Sequence, residues 1–494
     1  MLDAFFGMDL LIVALGILGL LFLLKLLYVP SNSPPGPTGY PLVGNFPLFM
    51  SGSRTKKIKR LRQTYGDVFS LRLGSKRMVV INGYEALKET FVKNDDVFSE
   101  RPPDDYLSKR TSKGKGMVSN SGETWKQTRA FSLRAMTELG FGKRSMESKI
   151  LEEVSVFLEV LEKSSGDAFA LGTTAQISVS NIICSISFGE RYAHDDEMFK
   201  TLMLMIDNFV NALPKAVITN FFPILRYFPD YLTGVEALIT NFQNGRRFMQ
   251  EQIDKHRATF QRDNIRDFID AVIKEQIANG KTGVLDDENV AIVLYNMFVA
   301  GTDATATSIK WAVLFLIHFP NVQTKLRDEV DDVIGPSRAP SMDDKAEMPY
   351  TDAFIHETLR MSNLVPYSLL HGVKYNTIFQ GYTLRTDDYI VPNLESASFD
   401  ESLFMDPHTF NPDRFIGEDG KLNGKEHYVL TFSLGRRVCF GESLARMELF
   451  LFLTSLVQRF NLLPEDDGNL PTLESVPGVV NHPREFKFRA VKIK

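Results

Sequence analysis

Of the two cysteines in the chain, Cys184 and Cys439, the second stands in a setting suited to chemistry. It lies in Phe432-Ser433-Leu434-Gly435-Arg436-Arg437-Val438-Cys439-Phe440-Gly441, immediately before a helix-like run from Glu442 to Phe460. A helix N-terminus offers free N–H groups and the positive end of the helix dipole, and Arg436 and Arg437 add charge, so the pattern favours a thiolate. A thiolate is the form in which cysteine binds metals. Gly435 and Gly441 allow a tight turn and the close approach of a flat partner. Cys184, in apolar surroundings, reads as a buried and inert thiol.

Other arrangements stop short of chemistry. His356-Glu357-Thr358-Leu359 opens like a zinc-protease HExxH, but Arg360 holds the fifth position and cannot bind zinc. Gly441-Glu442-Ser443-Leu444-Ala445 approximates a nucleophile elbow without its second glycine or preceding strand. Gly114-Lys115-Gly116 begins a GxGxxG that Ser119 ends, and no βαβ unit surrounds it. With no phosphate-cradling loop either, the chain shows no nicotinamide or nucleotide domain of its own. The 494 residues are 44% apolar and 24% charged, which supplies a sizeable core and excludes wholesale disorder. A net charge of −5 lacks the basic excess of a nucleic-acid binder. Two cysteines are too few for a disulfide scaffold, a four-cysteine zinc ribbon or a four-cysteine iron–sulfur cluster.

The Cys439 segment matches the haem-ligand signature FxxGxRxCxG of the cytochrome P450 family, and the resemblance runs along nearly the whole chain. Glu357-Thr358-Leu359-Arg360 resembles the family's ExxR, whose two ends share one helix face. Phe410-Asn411-Pro412-Asp413-Arg414-Phe415 resembles the segment whose arginine joins that pair, and Trp125-Lys126-Gln127-Thr128-Arg129 resembles WxxxR. In this order the set is far more specific than any member of it. An apolar N-terminus followed by Pro-Pro-Gly-Pro is similar to the microsomal members, closest to the drug- and steroid-oxidising type.

The resemblance implies haem b with Cys439 as its axial iron ligand. Arg437, Trp125 and Arg129 match positions that hold the haem propionates, and Arg101 and His371 match two more. Glu357, Arg360 and Arg414 match a structural ion-pair network. Pocket walls are expected from Tyr106 to Val118, Phe298 and Ala300, Val365 and Pro366, and Val479 and Val480. The expected activity is insertion of one oxygen atom from O2 into a lipophilic steroid, fatty acid or xenobiotic. Ala300-Gly301-Thr302-Asp303-Ala304-Thr305 departs from the family's (A/G)GxDT, because Ala304 stands where the oxygen-side threonine belongs. Asp303 remains as a proton source or a charge near the site, with Thr305 one position along as a water-mediated substitute. The departure keeps two alternatives open, a peroxide-rearranging haem isomerase and a non-catalytic haem-bearing ligand binder.

These residues need elements to position them. Asp67 to Ile81 alternates about a Gly-Ser turn and predicts a hairpin. From Ser145 to Phe319 the periods are helical, with Pro214, Pro223 and Pro229 as breaks. Asp287 to Phe319 is the longest apolar helical run and stops at Pro320, while Gly372 to Pro392 predicts short strands. The expected fold is mainly α (α+β), a large helical lobe with a small β-rich lobe, carried on an N-terminal transmembrane anchor. The domains fall at 1–30 (anchor), 31–47 (a stiff proline-rich linker) and 48–494 (haem-thiolate catalytic domain).

The anchor reading rests on fifteen consecutive apolar residues from Leu10 to Leu24, extended past Lys25 by Leu26-Leu27-Tyr28-Val29. An acidic start and bulky residues in place of a cleavage site disfavour a signal peptide. Lys25, Lys56, Lys57, Lys59, Arg60 and Arg62 follow the run, so the body faces the cytosol from the endoplasmic reticulum membrane. Electrons then come from a separate donor, which the resemblance makes NADPH–cytochrome P450 reductase, with cytochrome b5 as a second donor. Lys126, Arg129, Arg134, Lys143 and Arg144, against Glu138 alone, form a basic stretch suited to steering an acidic partner.

Overall fold

The computed structural model describes residues 32–50, 53–141, 144–193 and 196–493, with Val13, Gly16, Ile17 and Gly19 from the N-terminal stretch. Apart from those four positions, the anchor read over 1–30 lies outside the described residues.

Helices of ten residues or more are α1 (Arg54–Tyr65), α2 (Gly122–Glu138), α3 (Arg144–Lys163) and α4 (Gly172–Phe188). There follow α5 (Glu197–Ala216), α6 (Val235–Thr259), α7 (Phe268–Asn279) and α8 (Asp287–His318). The series closes with α9 (Pro320–Val333), α10 (Pro349–Ser362) and α11 (Glu442–Arg459). Helix α8 organises the rest. Asp286 caps it, its carboxylate accepting from the Asn289 N–H at 2.9 Å, and Asp287 and Glu288 suit the positive end of its dipole. Pro320 ends it, since proline cannot continue the hydrogen-bond ladder. At 1.5 Å per residue it spans about 48 Å, and α4, α6, α10 and α11 pack around it. Its buried Ile309, Ala312, Val313 and Leu316 share one core with Phe450, Leu453 and Val457 of α11.

The β lobe is built on a hairpin of β1 (Val68–Leu73) and β2 (Lys76–Ile81), in register Val68↔Ile81. Its second strand is completed in parallel by β7 (Tyr389–Pro392), and β4 (His371–Gly372) pairs with β7 on the far side. Between these lie β5 (Thr377–Phe379) and β6 (Tyr382–Leu384), a small hairpin of their own. Near the C-terminus, β8 (Phe460–Pro464) and β11 (Lys487–Lys492) pair beside β3 (Ala168–Ala170), while β9 (Ser475–Val476) pairs with β10 (His482–Pro483). The architecture is the helical lobe with a small β lobe that the sequence implies.

One local expectation changes. Pro214 does not break the chain, because it falls two residues before the end of α5 and costs one ladder bond there. The proline-rich stretch is held against β1. Ser70 donates from its N–H to Pro35 O at 2.7 Å and from its hydroxyl to Pro34 O at 2.8 Å. A Cβ on Gly36 would sit 1.9 Å from Ser70 O, so the strap closes only over glycine.

Candidate active site

The Cys439 loop is a tight structure between two walls. Ser433 and Gly435 both adopt positive φ, and a Cβ on Gly435 would lie 1.8 Å from Phe91 O. The Cys439 N–H donates to Phe432 O at 2.9 Å, and α11 begins three residues later. The thiol is exposed, yet enough protein surrounds it that desolvation is the largest influence and pushes it above the usual thiol range. The N–H groups of Gly441 and Glu442 and the charge of Arg129 pull the other way, while the Glu442 carboxylate adds to the rise. The neighbouring arginines do not serve the sulfur as their spacing suggests. Arg436 pairs outward with Asp95 at 2.6 Å, and Arg437 turns to the Ser99 and Asn120 carbonyls at 2.7 Å each. The protein alone therefore holds a thiol at this position, and a bound metal ion is what would make it a thiolate.

Beside the loop, residues from four segments converge. The Arg437 guanidinium stacks 3.6 Å above the Trp125 ring, and Arg129 donates to Val438 O at 2.7 Å. Arg101 donates to Val118 O at 2.9 Å and Leu370 O at 2.9 Å. His371 Nδ1 is 2.6 Å from Phe98 O, and its Nε2 is buried without a partner. None of the three arginines has a carboxylate within ion-pair distance among the described residues. Burial and the field of Arg101 push Arg437 down to about 8, and burial brings Arg101 to about 10. Burial also drives His371 well below its ordinary range, with Arg101 and Arg437 assisting. The cluster is an excess of half-buried positive charge suited to an anion.

The opposite wall is α8. Between Tyr295 and Lys310 every residue is buried except Asn296, Val299, Ala300, Gly301, Asp303 and Ala304, and Ala300 is exposed in mid-helix. The opening thus runs along Asn296, Ala300 and Ala304, one helix stripe of small side chains. The Asn296 side chain ties the facing loop down, accepting from the Met117 N–H at 3.1 Å. Two of the candidate residues turn elsewhere. Phe298 is 1% exposed and packs in the core, about 160° around the helix from Ala300, so it does not line this opening. Thr305 is buried on that same far side, where its hydroxyl meets the Glu448 carboxyl of α11, and the expected substitute for the missing threonine is directed away from the opening. Burial holds that carboxyl well above the usual range. Asp303 flanks the stripe, with His482 Nε2 at 3.4 Å. Val365 is half-buried and Val479 is 45% exposed on the turn before β10.

Behind the Cys439 loop, Glu357 and Arg360 of α10 form a fully buried bidentate pair at 2.7 and 2.8 Å. Arg414 reaches the same carboxylate at 3.1 Å, and the Asn411 N–H donates to it at 2.8 Å. Arg360 also satisfies the carbonyls of Ser398 and Pro407 at 2.7 and 2.6 Å. The network fixes the long connection from β7 to the cysteine loop onto α10.

Comparison with known proteins identifies this arrangement. The family model described as Cytochrome P450 matches residues 34–490. The chain belongs to the cytochrome P450 family. It is 36% identical to cytochrome P450 2C38 of Mus musculus over 464 residues, covering 92% of this chain and 93% of that protein. Cytochrome P450 2J2 of Homo sapiens is 35% identical over 467 residues, 94% and 92% of the two chains. Cytochrome P450 2B4 of Oryctolagus cuniculus is 36% identical over 464 residues, 92% and 93%. As a P450 the chain is a haem-thiolate monooxygenase of lipophilic substrates that works with a redox partner.

The residues present fit haem b. The carboxylates of such a group would find three guanidiniums without a carboxylate partner among the described residues, and the orphaned Nε2 of His371, beside the Cys439 loop. A Cβ on Gly441 would touch nothing within 4 Å, which leaves room beside the sulfur. The basic stretch on α2 is weaker than its sequence suggests. Lys126 lies 3.7 Å from Glu123, Arg134 lies 3.7 Å from Glu275, and Arg129 is turned inward. Lys143 lies outside the described residues, as does the side chain of Arg144. Sequence reasoning missed Glu448 and His482, since neither sits in a recognisable motif. The only signal was a carboxyl inside an apolar helix, at Glu448.

Proposed function

We propose that Cys439 would ligate the iron of haem b in this P450, with Arg437, Arg129, Arg101, Trp125 and His371 holding its propionates. The observation that carries this is the trio of half-buried guanidiniums without a carboxylate partner among the described residues, beside the one exposed thiol. Bound there, haem supplies activation of molecular oxygen, and a thiolate ligand favours O–O cleavage by donating electron density. The chain's own residues bind, shape and move protons. Trp125 orients Arg437, the small side chains of Ala300 and Ala304 leave room for substrate, and the Asp303 carboxylate stands beside that room as the group that passes protons on. The apolar lining supports a steroid, fatty acid or xenobiotic as substrate.

Electrons come from NADPH through cytochrome P450 reductase, with cytochrome b5 as a second donor, at the endoplasmic reticulum membrane. The body faces the cytosol on a single-pass anchor over 1–30, a placement supported by the apolar run and the basic residues after it. Ala304, together with the averted Thr305, favours a second reading in which the site rearranges peroxides without electrons. Turnover of lauric acid, testosterone and 7-ethoxycoumarin separates the two. Product that requires both reductase and NADPH supports the monooxygenase, and product formed equally from a lipid hydroperoxide alone overturns it.

A further inference from the structure

His482 stands on β10, a two-residue strand whose ring bridges successive turns of α8. Its Nε2 is 3.4 Å from Asp303 Oδ2 and its Nδ1 is 3.1 Å from Thr307 Oγ1. The contact is built into the fold, because the backbone before it is pinned on three sides. Asn481 O accepts from Trp311 Nε1 at 2.9 Å, Asn481 Nδ2 donates to Asn363 O at 2.7 Å, and the Asn481 N–H donates to Leu364 O at 2.8 Å. The buried Pro483 follows. The imidazole is 30% exposed and the Asp303 side chain 17%, so solvent protons meet the ring before they meet the carboxylate. The other charged group that interacts with Asp303 is Lys310 on α8, which has no ion pair among the described residues and is itself in the field of Asp207 on α5 and Glu485 after β10. No hydroxyl at position 304 competes for Asp303, and Thr305 is held by Glu448.

We propose that His482 is the positioning residue that recharges Asp303 with protons from solvent. In the step, the imidazolium Nε2–H bond breaks and an O–H bond forms at Asp303 Oδ2. The carboxylate becomes a neutral acid, the ring becomes neutral imidazole with its remaining N–H at Nδ1, and a hydronium ion from solvent restores the proton at Nε2 and leaves as water. No electrons change hands. Thr307 holds Nδ1, so the ring keeps Nε2 aimed at the carboxylate throughout. The proposal rests on the reading of Asp303 as the proton source for the monooxygenase.

The test uses the full-length holoenzyme with reductase and whichever of lauric acid, testosterone and 7-ethoxycoumarin the wild type oxidises fastest. His482→Gln keeps both hydrogen-bonding positions but does not carry a proton. It is expected to keep the reduced CO spectrum and KM while product per NADPH falls about tenfold, hydrogen peroxide rises and the solvent isotope effect on the product ratio grows. The double variant His482→Gln/Asp303→Asn should be no worse than Asp303→Asn alone, as for two steps of one path. Wild-type product yield and isotope effect in His482→Gln, with Asp303→Asn impaired, overturn the role of His482 and leave that of Asp303 standing. Wild-type yield in Asp303→Asn overturns both. Independently of turnover, 15N resonances of His482 in the diamagnetic ferrous–CO holoenzyme should move on Asp303→Asn while the other histidines stay. Unmoved His482 resonances would count against the contact itself.

Discussion

Replacing Arg360 tests how the cysteine loop is held. Its guanidinium makes two bonds to Glu357 and one each to the carbonyls of Ser398 and Pro407, all within 2.8 Å and fully buried. Arg360→Ala strands a buried carboxylate beside Arg414 alone, worth about 3–5 kcal/mol. It also orphans two carbonyls at about 1–3 kcal/mol each, for roughly 5–10 kcal/mol in all. Glu357→Gln keeps an acceptor for the Asn411 N–H and Arg414 and orphans no carbonyl, so its cost stays near the first figure, about 3–5 kcal/mol. At about 2 cal/mol/K per residue, unfolding entropy for a chain of 494 residues is on the order of 1 kcal/mol/K. The expected midpoint losses are therefore about 5–10 °C for Arg360→Ala and about 3–5 °C for Glu357→Gln. Scanning calorimetry with haem absorbance read in parallel makes the comparison. Equal shifts, or a smaller loss for Arg360→Ala, would refute the assignment of carbonyl satisfaction to this arginine.

Arg437→Leu removes one of the three guanidiniums that would hold the propionates and leaves the Ser99 and Asn120 carbonyls without it, so haem transfer to apomyoglobin should accelerate; a transfer rate equal to that of wild type would contradict the anion-holding role. Ala304→Thr restores a hydroxyl on the open stripe and should raise product per NADPH at the expense of hydrogen peroxide, and unchanged coupling would count against proton delivery along that stripe. His356 is pushed down to about 4 by burial, assisted by Arg446. Between about 6.5 and 4 the unfolded chain binds a proton that the folded chain refuses, so stability is lost as pH falls through that window, by about 3 kcal/mol at most. Urea midpoints at pH 7 and 4.5 should differ less in His356→Gln than in wild type, and an identical pH slope would dismiss the effect.

How much of this the sequence exposes depends on whether the signal is local. The bounds of α8 are legible because Asp286 caps it, Pro320 stops it and the apolar run between is unbroken. Which face opens is not, since Phe298 and Ala300 are both apolar and only packing against α11 or against empty space distinguishes them. Three-residue spacing puts Glu357 and Arg360 on one face, whereas the carbonyls of Ser398 and Pro407 arrive from a connection with no pattern. Around Cys439 the glycines and the helix start are local and readable. The charge that acts on the sulfur comes from Arg129, more than three hundred residues earlier, while adjacent Arg436 turns to Asp95. Proline in α5 misleads for a related reason, because the packed turns that hold the helix Pro214 ends outweigh the one ladder bond lost. His482 carries no sequence signal, being a lone histidine on a two-residue strand.

The most direct measurement is the reduced, CO-bound absorption spectrum of the purified full-length chain after haem reconstitution, taken for wild type, Cys439→Ala and Cys184→Ala. Ligation by Cys439 requires the thiolate-type Soret band in wild type and in Cys184→Ala, and its loss in Cys439→Ala. A thiolate-type band that survives Cys439→Ala, or that disappears with Cys184 instead, would contradict it.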